Sequence, residues 1–148
     1  MASTLFQGTF EHGVDSKRRL QVPARWKPPE EEAEVSLVPW ESRAGGKYLR
    51  VYSAVKMQEM LDKLNALKEG DPKKGPMKRI LGGLSETMSL DKSGRGCLPE
   101  KLLLEAGISN KAIFVGCLDH WEIWAPERHR QISDADSVMS SDAYQLLE

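Results

Sequence analysis

The chain spells much of itself twice, and this constrains its fold more than any other feature. "VDSKRRLQVPAR" (Val14 to Arg25) returns as "LDKSGRGCLPEK" (Leu90 to Lys101). At this offset Val14 falls on Leu90, Asp15 on Asp91, Arg19 on Arg95, Val22 on Leu98, Pro23 on Pro99 and Arg25 on Lys101. Two further blocks follow in the same order after a change of length. "EVSLVP" (Glu34 to Pro39) corresponds to "AIFVG" (Ala112 to Gly116), and "KYLRVYS" (Lys47 to Ser53) to "DHWEIWA" (Asp119 to Ala125). Val51-Tyr52 then sits opposite Ile123-Trp124. Chance can produce one such block but is a poor source of three in register, so the chain is read as two like halves.

Each copy has one plan. An extended segment leads to a polar loop holding Asp and Arg, and a short strand follows, Leu20 to Val22 or Cys97-Leu98. Proline then opens a short helix, where its missing N–H costs little. In "PEKLLLEAG" the apolar middle and Gly107 complete the helix signal. Two segments rich in Val, Ile, Phe, Tyr and Trp close the copy as half-buried strands. The fold class expected is α+β, mainly β with short helices. The expected segments are residues 4–53 (first half), 54–79 (linker helix and loop), 80–125 (second half) and 126–148 (C-terminal helix and tail). In the linker, Met57, Met60, Leu61, Leu64 and Leu67 recur at helical spacing, which predicts a core or subunit seam. Gly70 and Pro72 end it. The Ser/Asp-rich C-terminus is expected to start as helix and then fray.

With 148 residues, 40% hydrophobic and 29% charged, the composition is that of a globular protein. No apolar run approaches the roughly 18 residues of a membrane helix. "MASTLFQGTFEHG" lacks the basic and apolar regions of a signal peptide. Two cysteines are too few for a disulfide framework, so a cytoplasmic location is expected. The net charge of −1 conceals an asymmetry. Residues 1–29 hold five cations against two anions, and residues 127–148 hold two against five. A locally basic face can therefore meet an anion on a chain that is neutral overall.

Catalytic signals are weak. Ser53-Lys56 and Ser89-Lys92 match the short "SxxK" pattern, but its partner motifs "SDN" and "KTG" are absent. No phosphate-binding glycine loop and no acid/base pair stands out, so neither an enzyme nor a cofactor is expected. Cys117, His120 and Glu122, with Glu127 and His129 beyond, are metal-ligating residue types, but their spacing fits no standard zinc pattern and no metal site is expected. The repeated loop carries more. "DSKRR" places Lys17, Arg18 and Arg19 where the chain must bend. Lysine offers phosphate a point charge, and arginine's fork can grip phosphate or a guanine edge. Asp15 can hydrogen-bond the turn and orient an arginine. One such loop reads as a solvated turn. Two at pseudo-symmetric positions suit a double helix.

The order "F-x-G … D-x-K-x-R-L-x-V-P-x-R", "L-R-V-Y", a linker helix, "K-R-I-L-x-G … L-D-x-x-G-R-x-x-L-P … A-G-I" and "F-V-G … W-E-I-W" resembles the MraZ family from Phe6 to about Arg130. The resemblance implies two AbrB-like halves intertwined as a swapped-hairpin β-barrel, with linker and C-terminal helices. It implies a nucleoid-associated, ring-shaped homo-oligomer with no membrane or small-molecule partner. It further implies a repressor, binding direct repeats in double-stranded DNA upstream of the division and cell-wall gene cluster. Asp15, Lys17 and Arg19 stand at the family's first DNA-contacting motif. Asp91 and Gly94-Arg95 match the second. The expected DNA-binding set is thus Asp15, Lys17, Arg18, Arg19, Lys92 and Arg95. Arg18 stands where the family commonly has glycine, and Gly96-Cys97 where it has an aliphatic pair, which predicts a late or bulged strand. An AbrB-like antitoxin, a ring-forming interaction protein and an enzyme on the same scaffold are the alternatives.

Overall fold

The structure, a computed structural model, describes residues 5–148. The expected start of the first half at residue 4, and the first four residues of the segment read for a signal peptide, lie outside them. Eight strands form two sheets: β1 (Thr9–Gly13), β2 (Arg19–Gln21), β3 (Glu34–Glu41), β4 (Lys47–Tyr52), β5 (Glu86–Ser89), β6 (Arg95–Cys97), β7 (Lys111–Gly116) and β8 (Trp121–Trp124). The helices are α1 (Ala54–Asn65), α2 (Lys74–Arg79), α3 (Glu100–Glu105) and α4 (Pro126–Tyr144). The architecture is α+β, mostly strands with a few helices.

Strand order carries the repeat into three dimensions. The six-stranded sheet runs β1-β7-β8-β4-β3-β5, and β2 pairs with β6 in a separate ribbon. That order is a palindrome when β1, β3 and β4 are exchanged for β5, β7 and β8. The first strand of each copy therefore adds to the hairpin of the other: β1 lies antiparallel to β7 and β5 to β3. The pseudo-twofold axis passes between β4 and β8 and through the Leu20–Gly96 pair of the ribbon, where equivalent residues face one another. Backbone hydrogen bonds repeat across it. Leu98 N–H donates to Arg18 O at 2.8 Å, and Val22 N–H to Gly94 O at 2.9 Å.

Hydrogen bonding does not close the six-stranded sheet, whose edges are β1 and β5. This differs from the expected barrel. The apolar face is covered instead by the ribbon and by α3, which add Leu20, Val22, Leu98 and Leu102 to Leu37, Leu49, Val51, Phe114 and Ile123 in one buried cluster. Trp26 anchors the cluster edge-on to Phe10, with ring centroids 5.2 Å apart, and tilted against Trp121 at 5.3 Å. β6 is neither late nor bulged. Gly96 sits in its middle because a Cβ there would lie 2.8 Å from Met88 Sδ and 2.9 Å from Leu90 Cδ2.

The linker helix starts at Ser53, whose Oγ accepts from Lys56 N–H at 3.1 Å. The first "SxxK" match is thus a helix cap. Met57, Met60 and Leu64 pack on a second cluster formed by Val38, Tyr52 and Leu81. Leu61 and Leu67 remain exposed, so only part of the apolar stripe is core. The C-terminal segment does not fray as expected. Helix α4 runs unbroken to Tyr144, with Pro126 in its first turn and Ser137 and Ser140 hydroxyls donating to carbonyls three residues back.

Candidate nucleic-acid interface

Each repeated aspartate builds the turn that precedes a ribbon strand. Asp15 Oδ1 accepts from Lys17 N–H at 2.9 Å and from Arg19 N–H at 2.8 Å. Asp91 Oδ1 accepts from Ser93 N–H and Arg95 N–H, both at 2.9 Å. The main chain closes both turns alike, with Arg18 N–H donating to Asp15 O and Gly94 N–H to Asp91 O, both at 2.9 Å. These bonds, led by the backbone N–H of Arg19 and of Arg95, hold both carboxyls below their ordinary range. Because β2 and β6 are antiparallel, the two turns lie at opposite ends of the ribbon.

The ribbon presents one apolar and one polar face, as period-two alternation dictates. Leu20 and Gly96 point inward, while Arg19, Gln21, Arg95 and Cys97 face out, in register Arg19–Cys97 and Gln21–Arg95. Arg19 and Arg95 line one open concavity of about 400 Å3 together with Asp15 and His12. Arg19 Nε donates to Asp15 Oδ2 at 2.8 Å, which orients the side chain while it stays exposed. Arg95 is exposed, and its guanidinium makes no hydrogen bond or ion pair among the described residues. Lys17 and Lys92 are exposed at the turns.

Arg18 differs from the rest of the expected set. It takes a left-handed backbone, φ 62°, as its counterpart Gly94 does at 83°. Its Nε donates to Leu98 O at 2.9 Å across the pseudo-dyad, and the side chain is half-buried. The cation in the glycine position ties one copy to the other. A side chain in this conformation costs roughly 1–2 kcal/mol. Arg18→Gly relieves that cost while losing the side-chain bond, whereas Arg18→Ala loses the bond and keeps the strain. Urea unfolding should therefore rank Arg18→Gly above Arg18→Ala by about 1 kcal/mol. The reverse order would contradict the left-handed turn.

The carboxylates also set an acid limit. Asp119, held by Lys56 Nζ at 2.8 Å and then by His120, is lowered to about 2. Asp15 and Asp91 are lowered as well. A lowered folded-state value stabilises above the unfolded value of about 3.9, and that contribution is lost as pH falls through the folded one. The urea midpoint should stay level from about pH 7 to 5 and drop between about pH 4 and 2. Asp15→Asn with Asp91→Asn should make that drop shallower, and an unchanged profile would count against the turns.

Sequence reasoning missed Gln21, whose amide donates to Ser93 O and ties β2 to the opposite turn. It also missed the exposed Cys97, paired in register with Arg19. Both follow once the copies are written antiparallel about Leu20 and Gly96. Among the described residues no helix is long and apolar enough to cross a membrane.

Known proteins resemble this chain over most of its length. Residues 83–145 match the family model named for the MraZ protein, whose description calls it antitoxin-like. The transcriptional regulator MraZ of Roseiflexus sp. (strain RS-1) is 31% identical over 145 residues, spanning 97% of this chain and 98% of that one. The transcriptional regulator MraZ of Thermomicrobium roseum is 31% identical over 123 residues, 83% of each chain. That of Ruegeria sp. (strain TM1040) is 29% identical over 147 residues, 93% of this chain and 87% of that one. With a repeat that pairs across a pseudo-dyad and relatives that match it over nearly its whole length, the chain belongs to the MraZ family.

Proposed function

We propose that the chain is a sequence-specific double-stranded DNA-binding transcriptional regulator, with the β2–β6 ribbon as its reading element. One observation carries this: Arg19 and Arg95, related by the pseudo-dyad, share the exposed face of a two-stranded ribbon. A two-stranded ribbon fits the major groove, and twofold symmetry in the reader mirrors that of the duplex. Arg19 and Arg95 make base or phosphate contacts, and Lys17 and Lys92 contact phosphate. Asp15 and Asp91 hold the turns, and Arg18 braces the ribbon. The relatives' name, transcriptional regulator, supports the same reading.

The finer features rest on the family resemblance. The two copies, residues 4–53 and 80–125, are AbrB-like halves that exchange their first strands across the pseudo-dyad. The chain works in the cytoplasm, at the nucleoid, as a ring-shaped homo-oligomer that represses the division and cell-wall cluster from upstream direct repeats. A single ribbon binds weakly. A ring that sets several in register with repeats gains affinity through effective concentration. Native mass spectrometry with and without a duplex carrying the DNA upstream of the gene tests this. The expected result is a closed oligomer that takes up duplex. A ring that takes up none would make the protein a scaffold and overturn the proposal.

A further inference from the structure

The turn between β7 and β8 gathers three side chains that the DNA reading does not use. Cys117, His120 and Glu122 each offer a ligating atom, and these atoms lie within 4.8 Å of one another. His120 Nδ1 sits 2.8 Å from Asp119 Oδ1, which fixes that nitrogen as the N–H donor. In the neutral ring Nε2 carries the lone pair. It is buried without a hydrogen-bond partner among the described residues, and the Glu122 Oε2 stands 3.4 Å away. A metal ion between these two atoms would give both of them a partner. Ligands bound to a tetrahedral ion at about 2.0–2.2 Å stand roughly 3.4 Å apart.

The surroundings are those of a built site. Asp119, which orients the imidazole, is itself held by Lys56 Nζ at 2.8 Å. Glu122 Oε1 accepts from Trp124 Nε1 at 2.9 Å, leaving Oε2 to point at His120. Arg50 Nε lies 3.9 Å from Oε2, but its guanidinium is engaged by the Tyr48 and Tyr52 hydroxyls and stacks 3.8 Å from the centre of the Trp40 ring. Cys117 and Glu122 open onto a cleft of about 580 Å3 between the sheet and α4, which provides an entry path and room for water. Sulfur, imidazole and carboxylate together favour a borderline-soft transition ion over Mg2+ or Ca2+.

We propose that Cys117, His120 and Glu122 bind one divalent transition ion of the Zn2+ or Co2+ kind, with water from the cleft as fourth ligand. The thiol proton passes to solvent as the ion binds. Through Asp119 and Lys56 the ion fastens the β7–β8 turn to α1. The site is independent of the DNA interface, so its failure leaves that reading untouched.

Titrating the metal-free full-length chain with Co2+ tests the site. The expected result is one equivalent per chain, with sulfur-to-cobalt charge-transfer absorption that Zn2+ abolishes by displacement. Cys97→Ser should leave the absorption intact. Cys117→Ser should remove it, and His120→Ala should weaken binding by at least about tenfold. Asp119→Asn, which touches no ligand atom of the ion, should weaken it by about 10–100-fold. Thermal melts of the metal-free variants check that each folds. If Cys117→Ser does not fold, the spectrum of Cys97→Ser still assigns the sulfur, because the chain has two cysteines. Three results would overturn the site: no stoichiometric uptake, uptake without charge transfer, or absorption lost in Cys97→Ser.

Discussion

Replacing Arg19 and Arg95 together by alanine is expected to abolish specific duplex binding and leave the fold intact. Both side chains are exposed, and among the described residues the one partner of either is Asp15, which keeps its backbone bonds without Arg19. A bidentate base contact is worth about 1–3 kcal/mol, or roughly 5–150-fold in affinity for each arginine. In an oligomer that engages several ribbons at once, these losses compound. Each phosphate contact removed should also flatten the slope of log K against log salt by about 0.9. Lys17→Ala and Lys92→Ala should weaken specific and random duplexes alike, because phosphate contacts carry no sequence information. Arg18→Gly should cost far less in binding, since its side chain points to Leu98 O rather than to solvent. Fluorescence anisotropy at two salt concentrations separates these outcomes. A double variant that binds like the wild type would place the interface elsewhere.

The second large effect is on stability. Trp26 is 2% exposed although it sits in a single helical turn after Pro23. Its ring meets Phe6, Phe10 and Trp121, and its Nε1 donates to Gln7 O at 3.1 Å. It thereby joins the segment before β1 to the short turn after β2 and to β8 of the other copy. Trp26→Ala removes the largest fully buried side chain and leaves the Gln7 carbonyl without that donor. Substitutions of this kind cost about 3–5 kcal/mol. Urea unfolding should show the loss as a lower midpoint with an unchanged m-value. Trp26→Phe, which keeps most of the ring contacts, should recover about half of it. An effect below about 1 kcal/mol would mean that the aromatic cluster does not hold the two copies together.

The parts of the fold that local chemistry dictates were legible in the sequence. Asp15 and Asp91 predicted two turns, and hydrogen-bonded turns of one geometry stand there. Pro23 and Pro99 marked short helical turns, and Pro99 opens α3. The apolar runs of the two hairpins became β3–β4 and β7–β8. The partners of β1 and β5 were not legible, because each pairs with the copy far away in sequence and no local signal names a distant partner. The same limit hid the ribbon's dyad, which depends on antiparallel register rather than on composition. It also hid the cluster at Cys117, His120 and Glu122. Spacing along the chain argued against a metal there, while the turn after β7 folds the three side chains onto one point. The C-terminal helix runs to Tyr144, further than its Ser/Asp-rich composition suggested. The position of Arg18 was legible as an anomaly, a cation where glycine was expected. Its tie to Leu98 O belongs to the dyad and needed the structure.

The most direct test of the central claim compares two duplexes by fluorescence anisotropy at one near-physiological salt concentration. One carries the DNA just upstream of the gene for this protein, and the other a shuffled sequence of the same composition. A specific regulator should prefer the first by about a thousandfold or more, and the preference should vanish in the Arg19→Ala, Arg95→Ala double variant. Equal affinity of the folded, oligomeric wild type for both duplexes would contradict sequence-specific reading by the ribbon.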